Sequence, residues 1–238
     1  MWSNIWFIVK ADVKRAKWGY LISAFMYVYF CFFGSFIVSD LFETMGNRGG
    51  VGFLADLMFL CSLSCIGFVM SGEYRSYWLS DVFTKKLLYL RSLPISTKEL
   101  VWARYVQIGI NLLIMSAILF IPLYFISLLD DILTVTEYIS FAVLWMCVGA
   151  CSSMVFAYKE LSGSGKSYFW FCMISVAGYM AVSGLCWYWN FGLVEHSVIF
   201  AQKAGLLAAV VCLVITALWG WFWGRMTNDK IRRREYAR

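Results

Sequence analysis

Residues 73–104 read EYRSYWLSDVFTKKLLYLRSLPISTKELVWAR, the longest polar interruption in a chain that is otherwise largely apolar. The stretch still carries Trp78, Phe83, Leu87, Leu88 and Leu90, so it is polar without being bland. On either side of it lie apolar runs of about 20 residues, the length a helix needs to cross a hydrocarbon core about 30 Å thick. The segment therefore reads as a helical bracket between two membrane spans.

Composition supports this division. Of 238 residues, 62% are hydrophobic and 14% charged, whereas a soluble domain is about half apolar and about a quarter charged. The apolar runs are too long and too uniform for the alternating strands of a barrel, and helices satisfy their own backbone hydrogen bonds in lipid. Six transmembrane helices are expected, at 19–39, 51–71, 105–129, 138–157, 168–189 and 203–224, forming a single all-α integral membrane domain over 1–238. Residues 72–104 form a loop between spans two and three. No cleavable leader is expected, because Lys10, Asp12, Lys14, Arg15 and Lys17 interrupt the first 18 residues.

The basic residues are strongly one-sided. Four precede span one, six lie between spans two and three, two between four and five and six after span six, so 18 of 20 fall on one side against Arg48 and Lys203 on the other. The positive-inside bias then places both ends in the cytoplasm. Asp40, Glu43, Asp130, Asp131, Glu137 and Glu195 fall on or near the outer side. The net charge of +6 follows from topology and inner-leaflet contact, and the pattern is not that of a nucleic-acid surface. All eight cysteines fall in predicted spans with no zinc-like Cys and His grouping, so they read as packing residues.

In chain order, residues 1–18 read as an amphipathic interfacial helix. Trp2, Ile5, Trp6, Ile8, Val9 and Val13 would face lipid, and Lys10, Lys14, Arg15 and Lys17 the headgroups. Asp56 is the one acid inside a span, which makes it a functional hypothesis, although the helix dipole and snorkelling near the outer end would also tolerate it. Pro122 predicts a kink or early end of span three. Gly163-Ser164-Gly165-Lys166-Ser167 fails as a phosphate-binding loop, because Glu160 stands where the first glycine belongs and a membrane span precedes it. Trp187 to Phe191 form an outer aromatic belt, Trp219, Trp221 and Trp223 an inner one. Residues 190–202, with the lone His196, suit a short interfacial or re-entrant helix.

Within the bracket, Leu79, Val82, Phe83, Leu87 and Leu90 recur at helical spacing from Ser76 to Arg91, while Ser80, Asp81, Thr84, Lys85 and Lys86 are polar. Pro94 disfavours helix at Leu93 and makes a corner. Ser96 and Glu99 then form a capping-box pattern that starts a new helix at Thr97, running into span three.

The run Leu90-Arg91-Ser92-Leu93-Pro94-Ile95-Ser96, with Lys98, Glu99, Leu100 and Arg104-Tyr105, resembles the first cytoplasmic loop of type-2 ABC transporter permeases. The layout of interfacial helix, six spans, cytoplasmic ends and long first loop is similar as well. The resemblance implies a coupling helix seated in a groove of a separate ATPase, through Trp78, Phe83, Leu87, Leu90, Arg91, Pro94, Ser96 and Glu99. It also implies a second, smaller contact at Tyr158, Lys159 and Glu160. Two such permeases, identical or related, would pair around a central path, to which Asp56, Ser64, Phe171 and Ser175 are assigned. ATP and magnesium would belong to the partner and no cofactor to this chain, which would not itself be an enzyme. Abundant Phe, Tyr, Met and Trp suit an amphipathic or hydrophobic cargo, and the family implies export, antimicrobial or cytolytic peptides among its cargoes. The rival reading is a stand-alone channel, with Asp56 and the outer acids attracting cations, or a membrane-embedded enzyme.

Overall fold

The computed structural model describes residues 1–43, 50–72, 74, 81–92 and 94–233. Among these the chain is all-helical, with α1 (Trp2–Arg15), α2 (Lys17–Glu43), α3 (Gly50–Ser64), α4 (Val82–Ser92), α5 (Thr97–Ile126), α6 (Leu129–Ile132), α7 (Val135–Ser162), α8 (Gly165–Tyr188) and α9 (Leu193–Arg233). Five of them, α2, α5, α7, α8 and α9, are long and apolar enough to cross a membrane, and α3 is a shorter apolar helix.

The long helices run alternately between two ends of the molecule. At one end Lys86 of α4 meets Asp12 of α1, Thr97 at the start of α5 bonds Asn228 late in α9, and Arg104 of α5 meets Glu160 near the close of α7. At the other, Ser39 of α2 accepts from the Leu128 amide, Asp56 of α3 from the start of α9, and the Ile132 carbonyl from Gln202. Every described lysine and arginine except Lys203 belongs to the first end. Between the ends, Phe59, Leu63, Met115, Leu123, Phe141 and Trp145 form the largest buried cluster. The Trp145 ring lies tilted 5.1 Å from Phe59, and its indole N–H donates to Ser197 at 3.0 Å.

Four elements depart from expectation. The helix expected over 1–18 ends at Arg15, and a turn at Ala16 separates it from α2. Ile5, Ile8 and Val9, expected to face lipid, instead pack with Ala103 against α5, leaving Trp2, Trp6 and Phe7 exposed. Pro122 does not end α5, which continues to Ile126. The last helix runs to Arg233, beyond the expected end at 224, and its backbone breaks at Gly205, where φ 52° and ψ −140° suit only a residue without Cβ, so that the short helix expected over 190–202 precedes it from Leu193.

The fourth departure is in the expected span 51–71, whose helix stops at Ser64. The chain turns there and runs on without helix to Ser71. Gly67 fits so closely between α5 and α7 that a Cβ would clash with Ser153 Oγ and lie 2.9 Å from Ile108. Non-helical backbone at such depth needs internal partners. Tyr27 donates to the Ser62 carbonyl at 3.0 Å, Asn111 to the Gly67 carbonyl at 3.1 Å, and the Met70 amide donates to Ser23 Oγ at 2.9 Å. The Tyr20 hydroxyl in turn bonds Asn111.

Candidate functional site

The bracket helix α4 is amphipathic, and its apolar side is folded inward. Phe83 is 4% exposed and Leu87 2%. Phe83 packs against Tyr74 and Tyr168 at ring-centroid distances of 5.6 and 5.1 Å. Leu87 is buried with Leu100, Val101 and Ile231 from α5 and α9, and Leu90 is half-buried beside them. The expectation that Phe83 and Leu87 face a partner is therefore corrected: burying them against α5, α7, α8 and α9 removes the most apolar surface from water. The side left outside is Lys85, Leu88, Tyr89 and Ser92, with Leu88 45% and Tyr89 63% exposed. Their three- and four-residue spacing makes one helical face. Trp78, Leu93 and the side chain of Arg91 lie outside the described residues.

Polar ties fasten α4 at its flanks. Lys86 Nζ lies 3.1 Å from Asp12 Oδ2 of α1. Just before the helix, Asp81 takes a positive φ of 44°, and its carboxylate accepts from the Gly165 amide at 2.8 Å, capping the start of α8. Ser164 supplies the other cap by accepting from Ser167, so the Gly-Ser-Gly-Lys-Ser stretch serves as a helix start.

Pro94 and Ser96 make the corner after α4. The Ser96 hydroxyl accepts from the Glu99 amide at 3.3 Å, and Glu99 Oε2 accepts from the Ser96 amide at 2.9 Å. Glu99 Oε1 also accepts from Asn4 of α1 at 3.2 Å. Glu99 lies in the first turn of α5, ahead of the charge-free run that begins at Tyr105. The Ser96 amide and hydroxyl hold its carboxyl below the ordinary glutamate value.

One turn further along α5, a buried polar knot joins three parts of the chain. Arg104 Nη2 meets Glu160 Oε2 of α7 at 2.6 Å and also bonds the Tyr74 hydroxyl, which donates to the same carboxylate oxygen at 2.9 Å. Arg104 Nη1 donates to Gln107 at 2.8 Å, and the guanidinium lies over the Phe68 ring at 5.0 Å. Glu160 is thus committed inside the chain, which corrects its expected place in a second partner contact. Its neighbours Tyr158 and Lys159 are half-exposed, Tyr158 lying tilted against Trp223 at 5.0 Å and Lys159 lying over Phe171 at 5.2 Å. A cavity of ≈ 260 Å³ borders the knot, with Asp12, Arg15, Lys86 and Arg104 among its walls.

The residues assigned to a path lie on α3 and α8, which pack against each other, and each is engaged within the chain. Asp56 is 2% exposed, and its two oxygens accept from the Leu193 and Val194 amides at 2.9 Å each, capping α9 from outside that helix. Ser64 is buried and bonds back to the Leu60 carbonyl. Phe171 meets Phe156 edge-to-face at 5.1 Å, and Ser175 donates to the Phe171 carbonyl. Sequence reasoning passed over Arg104, Gln107 and Asn111 as a set, although their spacing of three and four places them on one face of α5. It also passed over Asp12, the lone acid among the α1 cations, and Tyr74.

What this arrangement can do is mechanical. A helix with one open face is fastened by ion pair, cap and packing to α1, α5, α7, α8 and α9, so a displacement of α4 reaches all of them. No protein-family model, curated protein or solved structure matches the chain.

Proposed function

We propose that this chain is the membrane subunit of an ATP-driven exporter of the type-2 ABC permease class, working with a separate ATPase. The observation that carries the reading is the two-sidedness of α4, whose inner face is fixed to the helices around it while Lys85, Leu88, Tyr89 and Ser92 stand open. ATP and magnesium belong, on this reading, to the partner. Closure of two ATPase subunits pushes α4, and the corner at Pro94 and Ser96 passes that movement into α5.

The topology that goes with this function is six crossings of a bacterial cytoplasmic membrane, with the basic end inside. The 15 residues of α3 give about 22 Å of helix. Residues 65–67 turn, and 68–71 add at most roughly 13 Å of extended chain, so the whole segment is about as long as the core of about 30 Å. A second permease copy or relative completes the path, and the cargo is amphipathic or hydrophobic, a peptide among the candidates. The rival channel reading leans on Asp56, and both of that residue's oxygens are already occupied by the α9 backbone.

A photo-crosslinking residue in place of Tyr89, activated in native membranes, tests the proposal. The expected adduct is a chain bearing a nucleotide-binding P-loop. Tyr89→Asp should abolish the co-purifying ATPase while leaving the melting temperature unchanged, whereas Leu87→Asp should destroy folding by placing a charge among Leu100, Val101 and Ile231. Adducts only to lipid, or ATP-dependent export intact in Tyr89→Asp, overturn it.

A further inference from the structure

We infer that the groove between α5 and the second half of α9 is a binding site for one anionic phospholipid of the inner leaflet. The inference uses the one-sided distribution of basic residues but does not depend on an ATPase partner.

The groove has a volume of ≈ 710 Å³. Its apolar walls include Trp102 and Tyr105 of α5 and Trp221 of α9, and Gly220 and Gly224 line it without side chains, which gives it depth. Lys98 and Arg225 stand exposed at one end, the basic end, and no aspartate or glutamate lines the groove. Neither cation has an ion-pair partner among the described residues. Arg225 lies 4.0 Å over the Trp221 ring, so its guanidinium is held at the lip. Asn228 lines the same end, its amide oxygen already accepting from Thr97 at 2.9 Å.

Charge and length select the occupant. From Leu213 to Asn228 the groove follows 15 helical steps, about 22 Å, against about 15 Å for one leaflet's half of the hydrocarbon core. A flexible acyl chain can follow the groove along that length. A phosphate-bearing headgroup then meets Lys98 and Arg225, and inner-leaflet lipid carries the complementary charge.

Native mass spectrometry of the detergent-purified chain, titrated with dioleoyl phosphatidylglycerol or dioleoyl phosphatidylcholine, reads this directly. The expected result is one retained phosphatidylglycerol per chain in preference to phosphatidylcholine. Lys98→Gln with Arg225→Gln should weaken that retention roughly 30-fold, from about fivefold per cation. Ala217→Trp, which fills the groove at an exposed position and leaves both cations in place, should abolish it without changing the melting temperature. Equal retention of the two lipids, or phosphatidylglycerol retention unchanged in these variants, overturns the inference. Crosslinking between copies through position 217 overturns it as well.

Discussion

The ammonium of Lys86 on α4 and the carboxylate of Asp12 on α1 form an ion pair of 3.1 Å, with both side chains mostly buried. The pair joins helices separated by 74 residues of chain and ties the N-terminal helix to the bracket. Asp12→Asn and Lys86→Gln should each raise amide hydrogen exchange across residues 82–92. The double variant should do little more than either single one, giving a coupling of about 1 kcal/mol, the upper end for partly exposed pairs. Strictly additive effects would mean that the two side chains do not act together.

Arg104 and Glu160 present a harsher case, because Glu160 is buried, Arg104 nearly so, and both share the Tyr74 hydroxyl. Removing one charge strands the other. Glu160→Gln should therefore destabilise the protein by about 3–5 kcal/mol, whereas Arg104→Met combined with Glu160→Leu should be far milder. Thermal melts of the three variants in detergent decide the matter. A Glu160→Gln variant as stable as the parent would mean that the knot does not hold α5 to α7.

These two pairs also mark how far the sequence could be read. Long apolar runs, the Pro94 corner and the Ser96 with Glu99 cap were legible because each depends on neighbours within a few residues. The inward turn of Phe83 and Leu87 was not. Helical spacing shows that a face is apolar, and only tertiary contacts decide whether that face meets a partner or the chain's own helices. The end of α3 at Ser64 was hidden for a similar reason. Nothing between Gly50 and Ser71 breaks a helix locally, and the break depends on Gly67 meeting Ser153 and on Asn111, 44 residues away, satisfying its carbonyl.

The Glu99 cap should be pH-sensitive in a defined direction. Its carboxyl is held below the ordinary value by the Ser96 amide and hydroxyl, so the folded state favours the charged form. That contribution is complete above the unfolded value, about 4.3, and is lost as pH falls through the lower folded value. Protection factors of the amides at 97–100 should hold steady from neutral pH to about 5 and drop below about 4. In Glu99→Gln they should start lower and show no such step. A step retained in that variant would assign the titration to another group.

Asp56 separates a structural from a conductive role most cleanly. Its two oxygens each accept one amide at the start of α9, from Leu193 and Val194. An asparagine has one acceptor and turns an N–H₂ toward the second amide, so Asp56→Asn loses a hydrogen bond and sets donor against donor. A buried amide left without a partner costs about 1–3 kcal/mol, and the helix from Leu193 to the break at Gly205 should fray first. Hydrogen exchange at 193–202 should rise in Asp56→Asn and rise further in Asp56→Ala, where both amides are orphaned. If Asp56 instead served to attract a cation, the asparagine variant would keep α9 protected and change only ion flux. Protection of 193–202 unchanged in both variants would return Asp56 to the conductive reading.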